Sequence, residues 1–161
     1  MNKIWIICLC LILSAGLLVG CGETTDSSNA HLITPSGEAA SIGEDGADIE
    51  GRFGTPEDYA QAQSCYGNGY DKVYTYAGFE ITTYPSQDGT KETISVLALT
   101  NNTVQTGSGL KVGQDFAKAV EIYGDNYIER GTSYVYTLDA DITLWIDIEE
   151  DMVARIEFRA P

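Results

Sequence analysis

The sequence predicts an α+β fold: two helix-plus-antiparallel-strand repeats sharing one sheet, with the helices packed on one face. Two observations predict it. DYAQAQSCYG, residues 58–67, and DFAKAVEIYG, residues 115–124, align without a gap and share Asp, Ala, Ala, Tyr and Gly. Each is then followed by the same succession of strand-like runs, VYTYAGFEITTY matching YVYTLDADITLW and TISVLAL matching VARIEF in pattern. A duplication of this kind usually means two copies of one supersecondary unit that share a core. A half of about 55 residues buries too little surface to stand alone.

The chain opens with Met1-Asn2-Lys3, a short basic stretch, followed by an apolar run from Ile4 to Val19. That run is a little short for a membrane span and reads as a secretory signal over residues 1–20. Leu18-Val19-Gly20-Cys21 resembles the lipobox of bacterial lipoproteins. The resemblance implies lipidation of Cys21 by diacylglycerol and further acyl chains such as palmitate, with Cys21 as first residue of the mature protein. Two or more chains suffice for stable anchoring, which places the protein on the extracytoplasmic face of the cell membrane. Residues 22–48 are rich in Gly, Ser, Thr, Ala and acids, with no Lys, Arg or aromatic residue. Such a segment cannot offset its ordering entropy by burial, so residues 21–48 read as a lipidated, disordered acidic tether. His31, the single histidine, falls within it.

The globular part is expected over residues 49–161, in repeats of about 49–106 and 107–161. Thr55-Pro56-Glu57-Asp58 offers an N-cap, a first-turn proline and acids at the positive dipole end. A first helix is therefore predicted to about Tyr66, stopped by Gly67. Strands follow over Lys72–Tyr76, Phe79–Tyr84 and Thr93–Thr100. Gly107-Ser108-Gly109 lacks the lysine and strand context of a phosphate loop and reads as a linker. The second helix spans residues 115–123, where Phe116, Ala119, Val120 and Tyr123 form one apolar stripe. Strands are predicted again over Ser133–Leu138, Ile142–Ile148 and Met152–Arg159.

Charge excludes some functions. The chain carries a formal −15, and −16 once residues 1–20 leave with Lys3. Nucleic-acid binding relies on Lys and Arg to displace counterions, so it is not expected. Lying flat on an anionic membrane is equally disfavoured. Cys8 and Cys10 leave with the signal and Cys21 is lipidated, so Cys65 alone remains and no intrachain disulfide can form. As the repeat counterpart of Ile122, Cys65 is expected to be a small buried hydrophobe.

No catalytic residue, metal ligand or cofactor site is expected. Nucleophilic catalysis needs an activating base, and the domain over residues 49–161 has no histidine. Asp139, Asp141, Asp147, Glu149, Glu150 and Asp151 are plentiful acids, but they fall largely in turns and lack EF-hand spacing. Aromatic patterning is the better lead. Ile142, Leu144, Ile146 and Ile148 alternate with Asp141, Thr143, Trp145 and Asp147, so the second set points away from the core. By the same alternation Met152, Ala154, Ile156 and Phe158 face inward and Val153, Arg155, Glu157 and Arg159 outward. Tyr84 aligns with Trp145. Aromatics with arginine on an open sheet make a protein-binding composition. Tyr84, Trp145 and Arg155 are thus the candidate partner-binding residues of a non-enzymatic module for a protein or a cell-wall component. The alternatives are a small carboxylate-based hydrolase and a purely structural envelope lipoprotein.

Val112-Gly113, Val120, Tyr123-Gly124 and Val153-Ala154-Arg155-Ile156 carry one further resemblance, to the tandem-repeat fold of the β-lactamase inhibitory protein family. It spans about residues 49–161. It implies a helix-and-strand unit used twice, with partner contacts on loops and a concave sheet. It implies no inhibitory activity.

Overall fold

A computed structural model describes residues 30–139 and 142–161. The signal segment 1–20, the lipidation site Cys21, residues 21–29 of the expected tether and Asp141 lie outside the described residues. Short strands cut by tight turns make up most of the rest. In chain order they are β1 (His31–Ile33), β2 (Ala39–Ser41), helix α1 (Ile49–Phe53), β3 (Asp58–Gln63), β4 (Tyr70–Tyr76), β5 (Phe79–Pro85), β6 (Glu92–Leu99) and β7 (Gln105–Thr106). Then follow helix α2 (Phe116–Tyr123), β8 (Ile128–Arg130), β9 (Ser133–Thr137), β10 (Thr143–Glu149) and β11 (Met152–Arg159). Eight strands form one antiparallel sheet in the order β3-β4-β5-β6-β11-β10-β9-β8, and three form a small sheet, β2-β1-β7.

The expected α+β class is corrected by this architecture. The described residues are mostly β, 47% strand against 11% helix, with two short helices among them in place of a helical layer. Residues 58–67 account for most of the difference: DYAQAQ is β3, paired with β4 from Asp58↔Thr75 to Gln63↔Tyr70. Its period fits a strand as well as a helix, and the partner strand decides. The first helix lies just upstream and is only five residues long. Asp48 caps it by accepting from the Gly51 amide at 3.2 Å, and Gly54 ends it. The gapless match of residues 58–67 with 115–124 therefore pairs a strand with a helix.

A duplication is nevertheless present, in another register. Ile42-Gly43-Glu44-Asp45 corresponds to Val112-Gly113-Gln114-Asp115. Gly43 donates to the Ile94 carbonyl (2.9 Å) and Gly113 to that of Val153 (2.7 Å); Ile94 and Val153 return the bond to Glu44 and Gln114. Phe53-Gly54 matches Tyr123-Gly124. Both glycines adopt nearly the same left-handed conformation, φ 82° and 83°, and each donates to the carbonyl four residues back. That φ strains any residue with a Cβ. Further on, the Tyr76 hydroxyl donates to the Gly54 carbonyl (3.0 Å) and the Tyr136 hydroxyl to that of Gly124 (3.2 Å). Each half is thus a helix clipped by a tyrosine onto a four-strand meander, and the halves meet at β6–β11. Gly107-Ser108-Gly109 is no linker. It forms a turn closed by Gly109 donating to Thr106, as Pro35-Ser36-Gly37 is closed by Gly37 donating to Thr34.

The tether expected to residue 48 is corrected likewise. Ala30, Leu32 and Ala40 are fully buried, and Leu32 pairs with Ala40 on one side and Thr106 on the other. These few apolar residues sit alternately on short strands, so the small sheet closes over the core despite a polar composition. The core joins them to Ile49, Ala119 and the inward residues Phe79, Ile81, Leu97, Leu99, Leu144, Ile146, Ile156 and Phe158. Cys65 is exposed, because its segment is a loop between strands and not the buried end of a helix.

The two tyrosine clips give a direct check. Removing either hydroxyl takes away a part-buried hydrogen bond. Tyr76→Phe and Tyr136→Phe are each expected to lower unfolding free energy by about 1 kcal/mol. The double variant is expected to lose the sum, since the clips lie in different halves. Denaturant titration reads both.

Candidate functional site

Alternation along the strands leaves one face of the large sheet uncovered by the helices and the small sheet. One row of that face crosses from Glu80 through Ala98, Glu157, Trp145 and Val135 to Ile128. Bulges interrupt the alternation twice. Between Thr82 and Thr83 the β6 register slips at Ser95, and between Asp147 and Ile148 the β11 register slips at Ala154. A bulge adds one residue to one strand and swaps the faces beyond it. Val153 is therefore buried and Met152 exposed, the reverse of the period-two expectation.

The register also separates the two candidate aromatics. Tyr84↔Thr93 corresponds to Glu149↔Met152, and Glu80↔Ala98 to Trp145↔Glu157. Glu80, not Tyr84, is the structural counterpart of Trp145. Tyr84 and Trp145 do share the outer face, but β6 and β11 lie between their strands and Tyr84 is four residues beyond the row of Trp145, which sets them about 14 Å apart across the sheet and about 13 Å along it. Arg159 connects them. Its guanidinium lies over the Trp145 ring at 4.2 Å, and it lines the cleft that Tyr84 also lines.

That cleft, of about 310 Å³, is bounded by Tyr66, Tyr84, Pro85, Ser86, Val96 and Arg159 among others. Tyr66 stacks nearly parallel on Tyr84, with ring centroids 4.8 Å apart at 14°, and is 66% exposed. Its position is imposed by the backbone. Gly67 lies so close to the 85–91 loop that a Cβ there would stand 2.2 Å from the Ser86 carbonyl oxygen, and the Asn68 amide donates to Gln87 at 3.4 Å. Burial, with Tyr66, Asp71 and Glu157 nearby, raises the Tyr84 phenol above its ordinary pKa, against the pull of Arg159. One oxygen of Asp71, Oδ1, is buried without a hydrogen-bond partner among the described residues.

Arg155, the third candidate, is engaged within the sheet. It donates to Glu80 at 2.7 Å and to Glu157 at 3.1 Å. Burial works against its charge, but the bonds to Glu80 and Glu157 outweigh it and raise its pKa. Arg155 is thus a strut tying the first half to the second. Tyr66 and Arg159, absent from the candidate set, are the better-placed pair. Arg159 was visible as an outward residue; Tyr66 was hidden by the helix assigned to its segment.

Three of the described acids have local structural roles. Asp147 accepts from the Ser133 hydroxyl at 2.5 Å. Glu150 and Asp151 form the β10–β11 turn with φ 50° and 64°, left-handed at both central positions as a type I′ hairpin requires. The turn is docked on α2, whose Phe116 amide donates to the Asp151 carbonyl at 3.0 Å. Among the described residues no three His, Cys, Asp or Glu side chains gather to hold a metal ion. A second cleft, about 340 Å³, has Lys72 and Glu92 in its wall. There the lysine bonds Glu92 at 2.6 Å and the Thr83 hydroxyl donates to the same carboxylate, so the charges compensate each other internally.

Two measurements check this description. Arg155→Ala leaves Glu80 and Glu157 facing each other, and a stability loss of about 1 kcal/mol, reduced by salt, is expected for a pair this exposed. Tyr74, Tyr76 and Tyr136 are held at about 12, chiefly by burial. Their folded pKa values exceed the unfolded value near 10, so their contribution is complete below about pH 10 and lost as pH rises towards 12. Unfolding in that window, with tyrosinate absorbance rising in step, is the expected result.

No protein-family model matches the chain, and no curated protein does. Among solved structures, a 1.5 Å crystal structure of an extracellular protein containing a SCP domain, from Bacillus anthracis strain Ames, is similar with a TM-score of 0.52 and 9% sequence identity. The match covers 74% of this chain and 44% of that one, so the chain spans less than half of the neighbour's length. At that identity the likeness is one of fold.

Proposed function

We propose that the protein is a non-enzymatic binding module, displayed from the extracytoplasmic face of the cell membrane by lipid on Cys21, that takes a protein or envelope component on the open sheet face. The observation that carries this reading is the pinned aromatic pair, Tyr66 stacked on Tyr84 beside the Arg159–Trp145 pair. Large rings held in place lose little entropy on binding and are typical anchors of recognition surfaces. The lipobox-like Leu18-Val19-Gly20-Cys21 supports the location. The similar solved structure belongs to a protein described as extracellular, and among the described residues no helix is long and apolar enough to cross a membrane.

The test uses Tyr66 because it is exposed and its loss costs the fold little. Tyr66→Ala is expected to lower retention of the chain by isolated envelope material at least tenfold, with the melting temperature within about 2 °C of wild type. Gly67→Ala, which displaces the same loop while keeping the ring, is expected to reduce retention as well. Undiminished retention in both variants would sink the reading.

A further inference from the structure

The two edges of the eight-stranded sheet are unlike. β8 has three residues, two of them charged, Ile128-Glu129-Arg130. β3 has six, all exposed, and from Tyr59 to Gln63 it reads YAQAQ with no charge and no proline. Natural sheets blunt an exposed edge with charge, proline, a bulge or brevity. β8 shows two of these devices, whereas β3 shows none over those five residues.

The hydrogen-bond phase of that edge follows from the ladder. Ser64 donates to the Gly69 carbonyl in the same register as Asp58↔Thr75, so Asp58, Ala60 and Ala62 exchange their bonds with β4. The N–H and C=O groups of Tyr59, Gln61 and Gln63 then point outward, and no other described element pairs with them.

We infer that β3 is a self-pairing edge: two copies of the chain join β3 to β3, antiparallel, about a two-fold axis at Gln61. That centre engages all three outward residues, Gln61 with Gln61 of the second copy and Tyr59 with Gln63 in each direction, for about six hydrogen bonds. Ala60 falls opposite Ala62 on the outer face. Asp58 falls opposite Ser64, so no charge of the paired strands meets its like. The contact is isologous, as a closed dimer requires. Two chains of net charge −15 repel at long range, so the dimer strengthens as salt screens them.

The test uses the full chain. Residues facing each other at the axis have Cα atoms about 5.5 Å apart, within disulfide reach. The two Cys65 residues sit roughly 26 Å apart by strand spacing. Gln61→Cys in a Cys65→Ser chain, oxidised mildly in its membrane, is expected to give a species of twice the chain mass, in a yield that rises with salt. The Cys65→Ser chain alone and the Ile128→Cys chain are expected to give none. In detergent, Gln61→Lys is expected to sediment as a monomer where the wild type is a dimer. Three outcomes overturn the inference: no doubled species from Gln61→Cys in a folded chain, conjugates to other proteins instead, or a wild type that sediments as a monomer up to about 1 mM.

Discussion

The pairing of β6 with β11 is the constraint on which the rest depends. Leu99 faces Ile156 and Leu97 faces Phe158 across it, and all four are fully buried. Each half of the chain is a meander that ends in one of these strands. Only their union turns two marginal four-strand units into a sheet with a continuous apolar face. The same pairing sets Ala98 beside Glu157 and Val96 beside Arg159 on the other face. Core and candidate site are therefore two sides of one seam. A one-residue slip there would exchange them.

From that seam the helices and the small sheet follow as closures. Neither helix is long enough to be stable alone. Each is held by its capping aspartate, its terminal glycine and a tyrosine hydroxyl reaching up from the second strand of its own meander. The small sheet closes what the helices leave open, with Leu32 and Thr106 buried beneath it. The outer face needs no cover because its charges are arranged against each other: Arg155 spans Glu80 and Glu157, and Arg159 spans Glu157 and the Trp145 ring. Beyond these pairs and Asp71 Oδ1, unpartnered among the described residues, that face offers the stacked rings of Tyr66 and Tyr84.

Several elements were legible because their signals are local. The six strands of the two hairpin-and-third-strand sets fell within a few residues of β4–β6 and β9–β11, since β-branched and aromatic runs bounded by Gly, Asp and Asn leave little choice. Helix α2 was legible from its apolar stripe, its Asp115 cap and Gly124. The first helix was not. IEGRF is short and contains a glycine, while the stronger capping signal, Thr55-Pro56-Glu57-Asp58, leads into a strand. The true repeat, Ile42-Gly43-Glu44-Asp45 against Val112-Gly113-Gln114-Asp115, was masked by the stronger identity of DYAQAQSCYG with DFAKAVEIYG. Of the site, Trp145 and Tyr84 were assigned correctly to the outer face. Their equivalence was not, because the connection from Tyr136 to Leu144 is five residues longer than the one from Tyr76 to Phe79, and that insertion shifts the match along β5 and β10.

The sequence by itself determined the acidic balance, the absence of a histidine from residues 49–161 and most strand positions, while the register of the duplication came only with the structure. Each of these depends on composition or on contacts a few residues long. Only the tertiary structure decided that DYAQAQ pairs with β4, that residues 30–41 join the core, and that Arg159 and Tyr66 flank Tyr84 while Arg155 is bound up in ion pairs. Those outcomes rest on which strand lies beside which, and backbone hydrogen bonds between distant strands read geometry rather than side-chain identity.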